Sequence, residues 1–208
     1  MAEAKKSETL GIKDGKLLDA RVTQKIFINL EHGDLKKVDA LVLHQTGGKD
    51  AAGTLPEYKS STIGAHFLID QDGTVYQTAR INKRAFHVGK SRSKCLEAKS
   101  CGPEEQAAIK TILNAKGVSY SKKLKELNDS ESAKSYPTRY PNNDDSLGIE
   151  VASAMTNGTY EDPTSDQATS VKWLVAELLA LLNLKASDVY RHPEVSYKDA
   201  SEAQHVKF

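Results

Sequence analysis

The 208-residue chain has almost no excess of charge, 29 Lys and Arg against 28 Asp and Glu, for a formal net charge of +1. A partner recognised through bulk electrostatics, such as nucleic acid or an anionic membrane, is therefore not expected. Long apolar runs are missing as well. The opening stretch "MAEAKKSETLGIKDGKLL" carries lysines with no apolar segment behind them, and nowhere are there enough consecutive apolar residues to cross a bilayer. The expectation is a protein made in the cytoplasm without an ordinary secretion signal, with no membrane insertion. There is no internal repeat and no low-complexity tract. Cysteine is scarce, limited to Cys95 and Cys101 in "KCLEAKSCGP". Two readings stay open: a disulfide closing a short polar loop, which points to an oxidising compartment, or two free thiols on a cytosolic surface. The spacing is wider than that of a usual zinc knuckle.

What is present suits one globular domain with a real core, since 38% of residues are hydrophobic and 27% charged. Residues 1–37 read as an N-terminal arm packing on the domain, in which "KIFINL" is an extended piece or a short edge strand. Residues 38–208 read as the main domain. "VDALVLHQTGG" is a buried strand from Val38 to Leu43 that stops on His44 and Thr46 and turns on glycines. "AHFLIDQDGTVYQTA" is a hairpin around "DQDG". A polar insertion follows at about 92–145, with one helix from Pro103 to Lys116 ending before Gly117 and a Lys-, Ser- and Asn-rich surface stretch behind it. "LGIEVAS" restores a strand. From Ser165 to Leu184, Val171, Leu174, Val175, Leu178 and Leu182 repeat at helical spacing after a "TSDQ" capping box. The fold class is α/β, a mixed central sheet flanked by helices.

Three of the six histidines end apolar or aromatic runs: His44 after "LVL", His87 after "AF" and His192 after "VYR". An imidazole at a strand end is exposed enough to bind a metal and is held by the strand beneath it. Each alone is more often structural. Glu150 stands inside "LGIEVAS", where burial of a carboxylate needs a partner, a proton or a metal. The bland alternative is alternation, with Ile149 and Val151 facing the core and Glu150 facing water.

"LVLHQTGG", "AHFLIDQDGTVYQTA", "RAFHVGKS", "SLGIEVAS" and "YRHPEVSYKDASEA" occur in an order that resembles the zinc-dependent N-acetylmuramoyl-L-alanine amidases. That family is shared by peptidoglycan recognition proteins and a phage lysozyme-type amidase. The resemblance runs from about Val38 to Glu202 and leaves the polar insertion unaccounted for. It implies one Zn2+ in an open groove and cleavage of the amide between N-acetylmuramic acid and the L-alanine of the stem peptide. His44 matches the first zinc ligand, His192 the second, and Glu150 the position of a catalytic glutamate. His87 matches a histidine near the groove and His66 one that supports structure, while Thr46 falls beside the first ligand as a residue of the substrate site or its surroundings.

The chain departs from the family pattern in two places. Members take the third ligand from an Asp or Cys two residues after a lysine, but here Lys198 is followed by Asp199 and Ala200. Candidates are Asp199, Glu202 and His205. In an extended segment Glu202 would share a side with Lys198, which favours Glu202. Phage-type members also carry a tyrosine where this chain has Ala65, so Glu150 is the expected proton carrier and Lys198 the expected oxyanion stabiliser.

The partner implied is peptidoglycan or a muropeptide, cut by an exported antibacterial effector that acts in the periplasm after leaving without a signal peptide. Such a toxin would have an immunity protein. The rival readings are a non-catalytic peptidoglycan-binding module, suggested by Ala200, and a cytosolic wall-recycling amidase.

Overall fold

A computed structural model describes residues 10–208. In chain order the strands and helices are β1 (Gly11–Lys13), β2 (Lys16–Leu18), β3 (Val22–Gln24), β4 (Ala40–Gly47), α1 (Ala51–Tyr58), β5 (Phe67–Ile69), β6 (Val75–Gln77), α2 (Lys94–Glu97), α3 (Pro103–Asn114), α4 (Tyr120–Ser132), β7 (Ser146–Thr156), β8 (Thr159–Tyr160), α5 (Ser165–Leu182), β9 (Val189–Arg191) and α6 (His192–Val195). Seven of the strands make one mixed sheet in the order β3-β6-β5-β7-β4-β9, with β8 folded back on β7. Neighbours run parallel except β5 with β6 and β7 with β8.

Strand alternation divides the sheet into two unlike faces. On one, Leu41 and Leu43 of β4, Phe67 and Ile69 of β5, and Leu147, Ile149 and Val151 of β7 pack beneath Val171, Leu174, Val175 and Leu178 of α5. Each such side chain fully buried contributes about 1.5–3 kcal/mol. Helix α5 starts where the capping box lies, Thr164 accepting from the Gln167 N–H and the Gln167 side chain from the Thr164 N–H. It stops at Asn183, in the left-handed region at φ 54. The other face carries His66, Gly148, Glu150 and His44, covered by the 84–91 loop, α1 and the insertion.

Residues 10–37 pack on the domain. Leu10, Leu17, Val22 and Leu35 join the main cluster, and β3 is the edge strand of the sheet. "KIFINL" is not that strand, because Ile28–Leu30 makes a 3₁₀ turn instead.

The insertion is more ordered than its composition suggests. Cys95 and Cys101 are joined as a disulfide. Helix α3 falls where expected, but the stretch read as surface coil holds α4, with Leu124, Leu127 and Glu131 buried. Leu124 and Leu127 sit one turn apart and Ser119 caps the start by accepting from the Lys122 N–H. That pattern was masked by the surrounding lysines and serines.

Candidate active site and metal centre

Strands β4 and β7 run parallel in a register that sets His44 opposite Glu150. Both point to the polar face because Leu43 and Ile149, one residue earlier, point to the aliphatic one. After His44 the ladder slips between Gln45 and Gly47, and Gly47 takes φ 73, which a residue with a side chain rarely adopts. Strand β9 pairs with the other edge of β4, Leu43 opposite Arg191, so that His192 arrives beside His44.

The result is a tight cluster. His44 Nδ1 and His192 Nδ1 are 2.8 Å apart, and Glu202 Oε1 lies 2.8 Å from His192 Nδ1 and 3.5 Å from His44 Nδ1. All three residues are buried, and their ligand atoms fall within 4.8 Å of one another. Burial, then the neighbouring His192, lowers the His44 pKa to about 4, so the ring is neutral at pH 7. Burial alone would raise the Glu202 carboxyl, yet contact with the His192 and His44 imidazoles outweighs it and brings the pKa down to about 2. Two nitrogens and one oxygen converging this closely are the donor set of a catalytic zinc centre with an open position, so the residues fit that ion.

Glu202 reaches the cluster by a route other than the extended one expected. Residues 199–206 form successive turns, with Glu202 N–H donating to Asp199 O, Gln204 N–H to Ser201 O and Val206 N–H to Ala203 O. Arg191 fastens the segment by donating to Ala203 O and Val206 O. Asp199 turns outward and accepts from the Ser201 N–H and hydroxyl. His205 is exposed, 4.0 Å from Asp162. Neither reaches the cluster.

Glu150 is partly buried as a residue, but its Oε2 is enclosed and has no hydrogen-bond partner. Ile149 and Val151 do face the core, as simple alternation requires, and the opposite side is an enclosed polar site rather than bulk water. Burial, together with the charge of Glu202, raises the Glu150 pKa to about 8. Glu150 lines a cavity of about 330 Å³ with Thr46, Thr54, Glu57 and Tyr58. Lys198 is exposed, with its side chain beside Gly89 of the covering loop, and its charge is felt at both Glu150 and His44.

The remaining candidates divide. His87 is buried against the cluster, with its Nδ1 3.1 Å from His44 Nε2. His66 stands behind it, donating from Nε2 to Lys83 O at 2.8 Å and accepting at Nδ1 from the Gly148 N–H at 3.0 Å. Both its nitrogens are thus used in structure. The Thr46 hydroxyl donates to Gly48 O and accepts from the Gly48 N–H, holding the turn after β4 while it borders the cavity.

The family assignment rests on a match across most of the chain. The sequence profile described as N-acetylmuramoyl-L-alanine amidase matches residues 34–205. The chain belongs to the N-acetylmuramoyl-L-alanine amidase family. Its activity class is therefore that of a peptidoglycan hydrolase. No curated protein matches by sequence. Among solved structures, the catalytic domain of XlyA is similar at 19% identity and TM-score 0.51, over 85% of this chain and 87% of that one. A selenomethionine AmpD derivative is similar at 18% and 0.52, over 89% and 88%. PlyL is similar at 12% and 0.51, over 87% and 85%. These likenesses establish a shared fold, the mixed sheet flanked by helices.

Helix α1, whose Thr54, Glu57 and Tyr58 wall the cavity, has little local signal in the sequence. Gly53 and Pro56 argue against a helix, but Asp50 caps it and Ala51, Thr54 and Tyr58 bury one side. Gly148 does carry a signal, because a glycine inside an apolar strand marks a close approach of something to the backbone. At this position the neighbour is His87.

Proposed function

We propose that this amidase is zinc-dependent, with His44, His192 and Glu202 holding one Zn2+ and Glu150 and Lys198 serving the hydrolysis of the bond between N-acetylmuramic acid and L-alanine. The observation that carries this reading is the convergence of His44 Nδ1, His192 Nδ1 and Glu202 Oε1 beside the unpartnered carboxyl of Glu150. A zinc ion supplies Lewis acidity to a carbonyl and to water when bound.

The chain's own groups carry the proton and the charge. A carboxyl whose pKa lies near 8 exchanges its proton close to neutrality, as a group must that takes a proton from water and hands it to a departing amide nitrogen. Its Oε2 has no competing partner, and the side chain borders the cavity where the scissile amide would lie. We assign Lys198, whose charge acts on both Glu150 and His44, to stabilise the oxygen that gains negative charge. Ala200 leaves a gap only in the family's usual position, because Glu202 completes the donor set; a binding module without a metal would have no use for a buried carboxyl beside it.

Action outside the cytoplasm is supported by the Cys95–Cys101 disulfide, since such bonds persist in oxidising compartments. We read the protein as an exported effector that cuts intact wall. The test is to express it with and without a periplasmic signal and to assay the purified protein on peptidoglycan. Release of stem peptides with a free N-terminal L-alanine, abolished by chelation and restored by zinc, with lysis only on export, is the expected result. Activity that survives complete removal of metal would overturn the zinc reading, and lysis from the cytoplasmic form would overturn the site of action.

A further inference from the structure

His87 touches neither the cavity nor Glu202, yet it is buried against one of the cluster histidines. The anchor for its role is a group that can only accept. His87 Nε2 lies 3.2 Å from Ser146 O, and a carbonyl has no hydrogen to give. The Ser146 hydroxyl, 3.4 Å from the same nitrogen, donates to Asn142 O and so accepts there as well. His87 must therefore carry its hydrogen on Nε2, which leaves a lone pair on Nδ1 when the ring is neutral. The ring meets Ser146, His44 and His66 and no carboxylate, so nothing beside it balances a second hydrogen. That lone pair faces His44 Nε2 at 3.1 Å, so His44 Nε2 is the donor and His44 Nδ1 is left bare. The bare nitrogen is the one that meets His192 and Glu202.

The ring of His87 fits because of the residue beneath it. A Cβ on Gly148 would lie 2.7 Å from His87 Cγ and 2.8 Å from Nδ1, closer than real atoms approach. Asn143 holds the loop in place by accepting from the backbone N–H groups of His87 and Val88. His192 has no counterpart to this support, as its Nε2 is buried without a partner.

We propose that His87 is a positioning residue that fixes the hydrogen of His44 on Nε2 and so presents the Nδ1 lone pair to the metal, and that residue 148 is glycine to make room for it. The second half of this inference, presentation to a metal, rests on the zinc reading above; the first half does not. Outer partners of this kind orient and tune a ligand, and their loss typically costs 10–100-fold in metal affinity.

The test uses the whole chain. Long-range proton–nitrogen NMR spectra of the metal-free protein report which ring nitrogen of His44 bears hydrogen, and competition with a chelator gives the zinc dissociation constant. Wild type should show His44 protonated on Nε2. His87→Phe, which keeps ring volume and removes the acceptor, should lose that preference and weaken zinc binding about 10–100-fold. Gly148→Ala should weaken it to a similar degree by displacing the ring. His87→Gln, which can accept and donate along the same path, should recover most of the affinity, an outcome that simple loss of packing would not give. If His44 keeps its Nε2 hydrogen in His87→Phe, or that folded variant binds zinc as tightly as wild type, the proposal is wrong. If His44→Ala retains zinc in full, the metal reading fails instead, while the NMR result still judges the hydrogen-bond chain.

Discussion

On β4, Leu41 and Leu43 point into a dry layer beneath α5, while Val42 and His44, their immediate neighbours, point into a face that holds His66, His87 and Glu150. The same backbone serves both. On the α5 face, packing requires only apolar residues of suitable volume, and exchange among them is tolerated if volume is kept. On the histidine face each buried polar atom needs a partner, and the chain supplies nearly all of them: Lys83 O and Gly148 N for His66, Ser146 O for His87, His87 for His44. Ser91 Oγ in the covering loop is one exception, and two others, Glu150 Oε2 and His192 Nε2, belong to residues of the proposed reaction site. Stability and reactivity are thus separated across a single sheet, one side chain apart.

That division can be broken most severely on the histidine face. His44→Ala or His192→Ala should reduce zinc content from one ion per chain to near none, measured by elemental analysis, and lower peptidoglycan hydrolysis by several orders of magnitude. Next in size, Glu150→Gln should keep the zinc and lower kcat by about 10²–10⁴-fold, the usual contribution of a positioned proton-transfer group. A variant that hydrolyses muropeptides at the wild-type rate would remove Glu150 from the mechanism. The α5 face should respond in the opposite sense. Leu178→Ala should cost about 2–5 kcal/mol in denaturant unfolding and leave zinc affinity unchanged, so a large loss of affinity there would show that the faces are coupled.

The smallest effect sharpens the comparison through pH. Burial lowers the folded pKa of His66 to about 4, whereas the unfolded ring titrates near 6.5. The unfolded state therefore binds more protons between these values, and the neutral ring's contribution is complete above pH 6.5 and lost as pH falls toward 4. In the metal-free protein this amounts to about 3 kcal/mol. His66→Gln should lessen the loss of stability across that window; His44 and His87, whose folded pKa values burial also lowers, keep part of it, and Glu150, raised to about 8, opposes it.

Much of this arrangement was legible in the sequence, for reasons that differ by element. Helix α5 and the β5–β6 hairpin announce themselves locally, one by its apolar spacing and capping box, the other by its turn. His44, His192 and Glu150 stood out because each interrupts or ends an apolar run. Helices α1 and α4 did not, since Pro56, the glycines and a dense polar background hide short buried stripes that matter only once the sheet is there to cover. Glu202 was named for an extended geometry that the 199–206 turns do not have. Its place in the cluster follows from long-range contacts made by Arg191 and Gln45, the latter accepting from the Ala203 N–H, and no local pattern encodes them. Gly148 carried a local signal, but its meaning needed the ring from residue 87 on top of it.

The central claim, that Glu202 completes a metal centre with His44 and His192, is tested most directly by zinc stoichiometry in Glu202→Ala, Asp199→Ala and His205→Ala purified side by side. The account predicts that the Asp199 and His205 variants keep one zinc per chain while Glu202→Ala loses most of it with its fold intact. Full zinc in Glu202→Ala, or loss confined to either of the other two, would contradict it.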